Sequence, residues 1–408
     1  MLKEKIEQVI KEMEGEMITL LQNLIRIPSE NPPGDYEKIA NFLADELISL
    51  GFETEIIDVP DEVTKAAGLE GQRKNVIARL KGTGEGPDLI FNGHIDTVPV
   101  GDLNKWTYPP FSGEIVDGKV YGRGATDSKG RLVCYIMAAL ALKKLNIPLK
   151  GDVIIAATCD EETGGHLGAG YVMENGLLKG DYAVVEGYSD TIIRAMAGLF
   201  QLKIVSKGVP AHSGWKWKGI NAIEKMAKVI SALEGLQKEL EKETSSINGM
   251  RYTTLNIGVI KGGTKVNVVP DYCEVEVDFR VIPEHTLEEI ADRVRKVIDK
   301  LRQEDPEINI EVTKLNNFIT KPTVTSENSP LVQELQKAIK EFTGQTYPVI
   351  GVNGQSDCRW FVDNGVQGIN FGPGRNDFNV HGYDEFMEIK DLLQTACILT
   401  LFARNIVS

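Results

Sequence analysis

Residues 88–96 read DLIFNGHID, an apolar run that ends in a histidine and an aspartate. Similar apolar runs, NVIARL (75–80), DVIIAAT (152–158) and YAVVEG (182–187), lie on either side of it, and RLVCYIMAALALKKL (131–145) has the length and composition of a buried helix. Strands that are apolar throughout and alternate with helices are typical of a parallel sheet with helices on both faces. The sequence therefore predicts an α/β fold with a mixed, largely parallel sheet.

The pattern changes near residue 195. From there we expect a strand, a helix, two strands with alternating polarity, a second helix and a final strand: LFQLKIVS (199–206), 221–240, TTLNIGVI (253–260), CEVEVDFRV (273–281), 286–302 and INIEV (308–312). This order is the βαββαβ, or ferredoxin-like, arrangement. We therefore predict a catalytic domain made of residues 1–194 and 315–408, interrupted by an inserted domain over 195–314.

Composition limits the partners of the protein. Of 408 residues, 45 are Lys or Arg and 59 are Asp or Glu, which gives a net charge of −14 and no basic patch for nucleic acid. The longest apolar run, Leu132–Leu142, is too short for a membrane span. The five cysteines show no CxxC spacing and are typical of reduced thiols. We expect a cytoplasmic protein that binds neither nucleic acid nor membrane.

His94 ends the run at 88–96, and the carboxyl ends of strands are where α/β proteins place their sites. Asp96 follows two residues later, so it points to the same side and is positioned to hold the second imidazole nitrogen of a metal-ligating histidine. The alternative is a histidine with a local hydrogen-bond partner near a turn.

Asp127 lies in GRGATDSKG (122–130), just before the apolar helix. The alternative to a metal ligand is a helix N-cap. A nucleotide-binding loop is disfavoured, because Asp127 stands where GxGxxG needs its last glycine and Lys129 is misplaced for a phosphate-binding loop.

Three consecutive carboxylates, those of Asp160, Glu161 and Glu162, follow a predicted strand without a neighbouring cation. Their mutual repulsion favours a bound divalent cation. Glu186 ends the next strand, and His381 lies in a glycine-rich segment near the C-terminus.

Taken together, these side chains match the nitrogen and oxygen preference of zinc, with cobalt or manganese as alternatives. The set comprises His94, Asp127, Glu162, Glu186 and His381. Asp127 is suited to bridge two ions about 3.5–4 Å apart, an arrangement that activates a water and polarises a carbonyl. A neighbouring glutamate would move the proton of that water.

The same residues belong to a series of motifs that runs through the chain: RIPSENPPG (26–34), GHIDTVP (93–99), GRGATDSKG (122–130), DEETGG (160–165), VVEG (184–187), GVPAHSG (208–214), VNVVPDYCEVEVDFR (266–280), GQSDCRWF (354–361) and HGYDEF (381–386). In this order they resemble the co-catalytic metallohydrolase family of acetylornithine deacetylase, succinyl-diaminopimelate desuccinylase, aminoacylase and bacterial glutamate carboxypeptidase.

The resemblance implies a role for each residue of the metal centre. One metal would be held by His94, Asp127 and Glu186, and the other by Asp127, Glu162 and His381. Glu161 would be the general base and then the general acid, and Asp96 would orient His94.

The resemblance also implies that the inserted domain serves as dimer interface and lid, with His212 stabilising the oxyanion within one chain or across the dimer. The family's candidates for substrate binding are Arg280, Asn267, Gly354, Gln355 and Arg359. For Arg280, an ion pair on the strand surface is an equal alternative. Trp215 and Trp217 are expected at a lid or interface surface, or in a pocket for an apolar acyl group. His166 and His285 lie outside every motif, and we expect both at the surface.

The resemblance also bears on the reaction, because the deacylases and carboxypeptidases of the family tend to have a glutamate, as Glu186 is here, at the third ligand position. We therefore expect hydrolysis of the amide bond of an N-acyl amino acid or of a C-terminal peptide bond. The alternatives are a metal-dependent dipeptidase and a catalytically idle relative that binds a ligand. Serine hydrolysis is disfavoured, because the segment 354–358 (GQSDC) lacks the last glycine of GxSxG.

Overall fold

The computed structural model describes residues 2–315 and 319–408. Its helices are α1 (Leu2–Glu12), α2 (Glu14–Arg26), α3 (Glu37–Ser49), α4 (Asp61–Ala66), α5 (Lys129–Lys144), α6 (Ala169–Glu174), α7 (Ala222–Leu240), α8 (Leu287–Glu304), α9 (Pro330–Thr343), α10 (Cys358–Asp363) and α11 (Ile389–Val407). Short 3-10 turns span Leu103–Lys105, Glu161–Thr163 and Ser213–Lys218.

The strands are β1 (Glu53–Asp58), β2 (Lys74–Leu80), β3 (Leu89–His94), β4 (Glu114–Val116), β5 (Lys119–Tyr121), β6 (Val153–Thr158), β7 (Tyr182–Val185), β8 (Ile192–Met196), β9 (Gly198–Lys207), β10 (Ala211–His212), β11 (Thr254–Gly262), β12 (Val268–Val269), β13 (Tyr272–Val281), β14 (Asn309–Lys314), β15 (Thr323–Val324), β16 (Val349–Val352), β17 (Gln367–Asn370) and β18 (Phe386–Glu388).

The chain divides into two compact units. The first comprises Met1–Arg194, Thr325–Val349 and Ser356–Ser408, and the second comprises Ala195–Val324 and Ile350–Gln355. The second unit thus also takes in the ranges 315–324 and 350–355, which the sequence analysis assigned to the second part of the catalytic domain.

The sheet of the first unit runs in the order β1-β2-β6-β3-β7-β17-β8. Its central strands β6, β3, β7 and β17 are parallel, whereas β1, β2 and β8 join antiparallel. Every residue of β3 and β6 is buried, as expected for strands covered on both faces. The predicted α/β fold with a mixed, largely parallel sheet is confirmed, with antiparallel strands flanking the parallel centre.

The register of the parallel strands brings their carboxyl ends to one edge. His94 of β3 pairs with Thr158 of β6, and Asn92 pairs with Val185 of β7. The residues that follow β6 and β7 therefore emerge beside His94, at the edge where open α/β sheets place their sites.

Helix α5 is buried along its first fourteen residues, from Lys129 to Leu142, which explains why its sequence shows no amphipathic pattern. The ammonium of Lys129 is also buried, and it donates to the carbonyls of Leu24 (3.0 Å) and Ile27 (2.9 Å) at the end of α2. Burial lowers the pKa of Lys129 to about 7.

The N-terminal helices follow local patterns in the sequence. The apolar residues from Ile6 to Leu24 belong to two helices, α1 and α2, that meet at Met13. Helix α3 is followed by Gly51 with φ +79°, the left-handed conformation expected of a glycine after a helix.

The second unit contains an antiparallel sheet in the order β11-β13-β9-β14, with helices α7 and α8. This is the predicted βαββαβ arrangement. Helix α8 buries Ile290, Val294 and Ile298 at four-residue spacing, and the rings of Phe200 and Phe279 stack with centroids 4.5 Å apart in the same core. Two short strands, β10 and β12, form a separate pair that the sequence analysis did not predict.

In the described part of the chain, none of the helices combines the length and apolar character that crossing a lipid bilayer requires. The five cysteines are buried free thiols.

Candidate metal centre

The carboxylate of Asp127 lies between two histidines. Its Oδ1 is 3.2 Å from Nε2 of His94, and its Oδ2 is 3.3 Å from Nε2 of His381. His94 ends β3, Asp127 lies just before α5, and His381 belongs to the loop before β18. Each oxygen of one carboxylate thus faces a different imidazole, which is the geometry required of a ligand shared by two cations.

Glu162 belongs to the same cluster, and Glu186 lies close enough to interact electrostatically with His94 and Asp127. Oε2 of Glu162 is 3.2 Å from Nε2 of His381, and ligand atoms of His94, Asp127 and Glu162 lie within 4.8 Å of one another. Within residues 2–315 and 319–408, Oε1 of Glu162 and both carboxylate oxygens of Glu186 are buried and accept no hydrogen bond. Buried carboxylate oxygens of this kind need a partner, so the donor set fits divalent cations.

Burial and neighbouring charges shift the pKa values of the clustered side chains. Burial favours the neutral form of Asp127, but Arg131, His381 and His94 outweigh it and hold the pKa of Asp127 well below its usual range. Hydrogen bonds to Asp127 and Glu162 raise the pKa of His381 to about 10. Burial raises the pKa of Glu186 to about 7.

Glu161 precedes Glu162 in the 3-10 turn that follows β6. Burial raises the pKa of Glu161 well above its usual range; His94 opposes this shift, whereas Asp357 and Glu186 add to it. A carboxyl group with a raised pKa beside a cation site is suited to exchange protons near neutral pH.

Asp96 connects His94 to that turn. Nδ1 of His94 lies 2.9 Å from the main-chain oxygen of Asp96 and 3.4 Å from its Oδ1, so the carbonyl is the nearer partner. The Asp96 carboxylate also accepts the main-chain N–H groups of Glu161 (3.3 Å) and Glu162 (3.2 Å).

Three residues of the site were missed by sequence reasoning. Arg131 donates to Oδ1 of Asp127 at 2.7 Å. Asp357 is 1% exposed and accepts a 3.3 Å hydrogen bond from Thr158. Glu385 accepts the main-chain N–H groups of Thr126 (2.9 Å) and Asp127 (3.0 Å). Glu385 stands four residues after His381, within the motif HGYDEF, and that proximity was the one available signal for it.

Two of the predicted site residues, His212 and Asn267, lie next to each other in the second unit. His212 on β10 pairs with Val268 on β12, directly after Asn267, and the N–H of Ser213 donates to the carbonyl of Asn267 at 3.1 Å. Nδ1 of His212 accepts the N–H of Gly214 at 3.1 Å, and the imidazole is exposed.

Exposed aromatic side chains flank this histidine. Trp215 is 56% exposed and Trp217 is 77% exposed. The His212 ring lies 5.5 Å from that of Trp215.

The other predicted substrate-binding residues make intramolecular contacts. Nε of Arg280 lies 2.8 Å from Oδ1 of Asp278, the strand-surface ion pair considered as its alternative. Gly354 and Gln355 belong to the second unit, where the Gln355 amide donates to the carbonyl of Ala197. Arg359 belongs to the first unit, is 3% exposed and donates to the carbonyl of Gly164, just after the Glu161–Thr163 turn.

The expectation for His285 was wrong. This histidine is 8% exposed, and its nitrogens contact Thr253 Oγ1 (2.8 Å) and Glu243 Oε2 (2.7 Å). Glu243, His285 and Glu289 also form a group with metal-ligand spacing, but the guanidinium of Arg293 binds both glutamates there. His166 is exposed, with its ring 4.8 Å from that of Trp360.

Relatives with assigned activities match along almost the whole chain. A succinyl-diaminopimelate desuccinylase of Ehrlichia ruminantium is 30% identical over 400 residues, which cover 95% of this chain and 97% of the relative. A probable succinyl-diaminopimelate desuccinylase of Staphylococcus epidermidis is 28% identical over 409 residues, with 93% of this chain and 94% of the relative covered.

Solved structures share the fold. A metallo-carboxypeptidase of Sulfolobus solfataricus superposes with a TM-score of 0.74 at 22% identity, covering 95% of this chain and 98% of the other. The aminopeptidase PepT of Bacillus cereus gives 0.76 at 22% identity, covering 96% and 98%. The profile of Peptidase family M20/M25/M40 matches residues 90–405. The chain therefore belongs to peptidase family M20/M25/M40 and is a metal-dependent hydrolase.

Proposed function

We propose that this protein is a two-metal deacylase that hydrolyses the amide bond of N-acyl amino acids, with N-succinyl amino acids as the first substrates to test. The observation that carries the proposal is the carboxylate of Asp127, whose two oxygens face His94 and His381 separately. The 30% identity to a desuccinylase over 95% of the chain supports the acyl class.

The residues that would hold the cations are assigned from the family pattern, and the contacts of Asp127 with His94 and His381 support that assignment. His94, Asp127 and Glu186 would hold one, and Asp127, Glu162 and His381 the other. When bound, two divalent cations would polarise the scissile carbonyl and lower the pKa of a water molecule. Zinc is the first choice for this donor set, with cobalt and manganese as alternatives.

Glu161 would move the protons. Its carboxyl group lies in the same turn as Glu162, and its raised pKa suits a group that takes a proton from water and delivers it to the leaving nitrogen. Asp96 would support both His94 and this turn, because it contacts the imidazole and accepts the N–H groups of Glu161 and Glu162.

Residues outside the metal centre would supply the remaining substrate contacts. His212, exposed and adjacent to Asn267, would donate to the developing oxyanion. Arg280, Gly354, Gln355 and Arg359 stay as proposed substrate residues. We also propose a homodimer formed through the second unit, and a cytoplasmic location, which the five free buried cysteines support.

The test is a substrate panel. The protein, loaded with zinc, cobalt or manganese, is offered N-succinyl and N-acetyl amino acids, peptides with a free C-terminus, and dipeptides, and release of the amino group is measured. We expect turnover of N-acyl amino acids, at least tenfold above that of dipeptides. Preference for longer peptides would make the protein a carboxypeptidase, preference for dipeptides would make it a dipeptidase, and turnover of none would contradict the proposal.

A further inference from the structure

The turn that carries Glu161 and Glu162 is entered through Asp160. Asp160 adopts a left-handed conformation with φ +59°, and its carbonyl accepts the N–H groups of Thr163 (3.1 Å) and Gly165 (2.7 Å). Aspartate tolerates this conformation better than most residues. Its position therefore fixes the direction in which the chain leaves β6.

The Asp160 carboxylate is itself held by three donors from the N-terminal part of the chain. The hydroxyl of Tyr36 lies 2.7 Å away, Nε of Arg73 lies 2.9 Å away and Nδ2 of Asn31 lies 3.0 Å away. All four side chains are buried, at 0–4% exposure. A carboxylate that is desolvated and bound by three donors has little freedom to move.

Asn31 connects the Asp160 carboxylate to Asp96, the second residue that supports the turn. Its Nδ2 lies 3.1 Å from Oγ1 of Thr163 and 3.4 Å from Oδ2 of Asp96. Asp96 in turn accepts the N–H groups of Glu161 and Glu162. The amide group of Asn31 thus contacts the carboxylate of Asp160, the hydroxyl of Thr163 and the carboxylate of Asp96.

We propose that Asn31, Tyr36 and Arg73 are positioning residues that set the placement of Glu161 and Glu162 through Asp160 and Asp96. The proposal rests on the proposed function, in which Glu161 moves protons and Glu162 holds a cation. The three residues act through the turn and are assigned no contact with substrate. Because both glutamates sit on one turn, a displacement of that turn moves the proton-transfer group and the metal ligand together.

The expected loss of metal affinity and activity can be judged from general experience with residues that orient metal ligands. Loss of one hydrogen bond that orients a ligand costs about 10–100-fold in metal affinity or activity. A displacement of about 1 Å costs on the order of 100-fold in rate. Tyr36→Phe leaves the contacts of Arg73 and Asn31 with Asp160 in place, so we expect a loss near the lower end of the roughly 10–100-fold range. Asn31→Ala removes three contacts, so we expect a loss near the upper end of that range.

The experiment compares Tyr36→Phe and Asn31→Ala with Thr400→Val. Thr400 is a matched control, since its buried hydroxyl donates to the carbonyls of Ala396 (2.7 Å) and Ala138 (3.5 Å) and, among the described residues, makes no hydrogen bond to this network. For each full-length variant, kcat and KM for an N-acyl amino acid, the affinity for Co²⁺ by chelator competition, the visible absorption spectrum of bound Co²⁺ and the Tm are measured.

We expect Tyr36→Phe to lower kcat about tenfold with KM changed less than about twofold, and to weaken Co²⁺ binding about tenfold. Asn31→Ala should lower both further and alter the Co²⁺ spectrum. Thr400→Val should lower only the Tm. If Tyr36→Phe and Asn31→Ala keep the wild-type kcat, Co²⁺ affinity and spectrum while their Tm falls, the network is purely structural and the proposal is overturned.

The cobalt measurements separate this proposal from the proposed function. A wild-type protein that turns over no N-acyl amino acid contradicts the function, yet the comparison of Co²⁺ affinity and spectrum still decides whether the network positions Glu162. If Asn31→Ala does not fold, Tyr36→Phe, which removes one hydroxyl, carries the test.

Discussion

Nη1 of Arg131 lies 2.7 Å from Oδ1 of Asp127, the same oxygen that lies 3.2 Å from Nε2 of His94. Arg131 is 4% exposed, and the Cζ atom of its guanidinium lies over the ring of Tyr188, 5.5 Å from the centroid. A fixed positive charge therefore lies at the carboxylate that two cations would share. It stabilises the ion-free centre and repels the cations.

Replacing Arg131 by methionine should tighten the binding of divalent cations. We expect about a tenfold gain in Co²⁺ affinity, because one unit charge a few ångströms away is removed from a buried site. The metal-free variant should have a lower Tm than the metal-free wild type, since Asp127 loses the guanidinium that pairs with it. Isothermal titration and thermal melting with and without Co²⁺ check this, with Arg26→Met as a control for an exposed arginine. Equal or weaker affinity in Arg131→Met would contradict the prediction.

Glu161→Gln should separate proton transfer from metal binding. The amide keeps the shape of the side chain but cannot take a proton, so we expect kcat to fall by about 100- to 10,000-fold. The metal content after dialysis should remain that of the wild type. Glu162→Gln is the matched control, because it changes the neighbouring glutamate and should reduce metal content as well. Activity of Glu161→Gln within about tenfold of wild type would exclude Glu161 as the proton-transfer group.

His381→Ala should weaken one cation position and leave the other. Nε2 of His381 contacts Oδ2 of Asp127 and Oε2 of Glu162, whereas His94 faces Oδ1 of Asp127. After dialysis against a weak chelator, the variant should retain about one metal ion per chain where the wild type retains two. His166→Ala, which changes an exposed histidine, should behave as wild type. A His381→Ala protein that retains both ions would remove His381 from the ligand set.

Much of the fold was predictable because β3, β6 and β7 are largely apolar and the second unit combines helices with amphipathic strands. The approach of His94 and Glu162 was predictable for a related reason, since the ends of the parallel strands β3 and β6 meet at one edge.

Arg131 stands four residues after Asp127, so its contact with that carboxylate is local and was missed although the spacing was visible in the sequence. The other residues depend on contacts between distant segments. Asp160 looked like part of a metal-binding acidic run, but Arg73, 87 residues earlier, neutralises it. His285 looked like a surface residue because its partners Thr253 and Glu243 are 32 and 42 residues away.

A pH-dependent contribution to stability is expected from Glu243 in the second unit. Hydrogen bonds from Arg293, joined by one from His285, lower the pKa of Glu243 to about 2 from an ordinary value of 4.5. A carboxyl group whose pKa is depressed in the folded state stabilises the fold above pH 4.5 and loses that contribution as the pH falls through 2. Because the Glu243 side chain is 39% exposed, solvent screening limits its contribution to the free energy of unfolding to about 1 kcal/mol or less.

The Tm difference between wild type and Glu243→Gln should therefore be largest near pH 6 and should narrow toward pH 3. Exposed Glu311, which pairs with exposed Lys207, gives the control variant Glu311→Gln, whose Tm difference should stay small throughout. A difference between wild type and Glu243→Gln that stays constant or widens on acidification would show that the ion pair with Arg293 does not stabilise the fold.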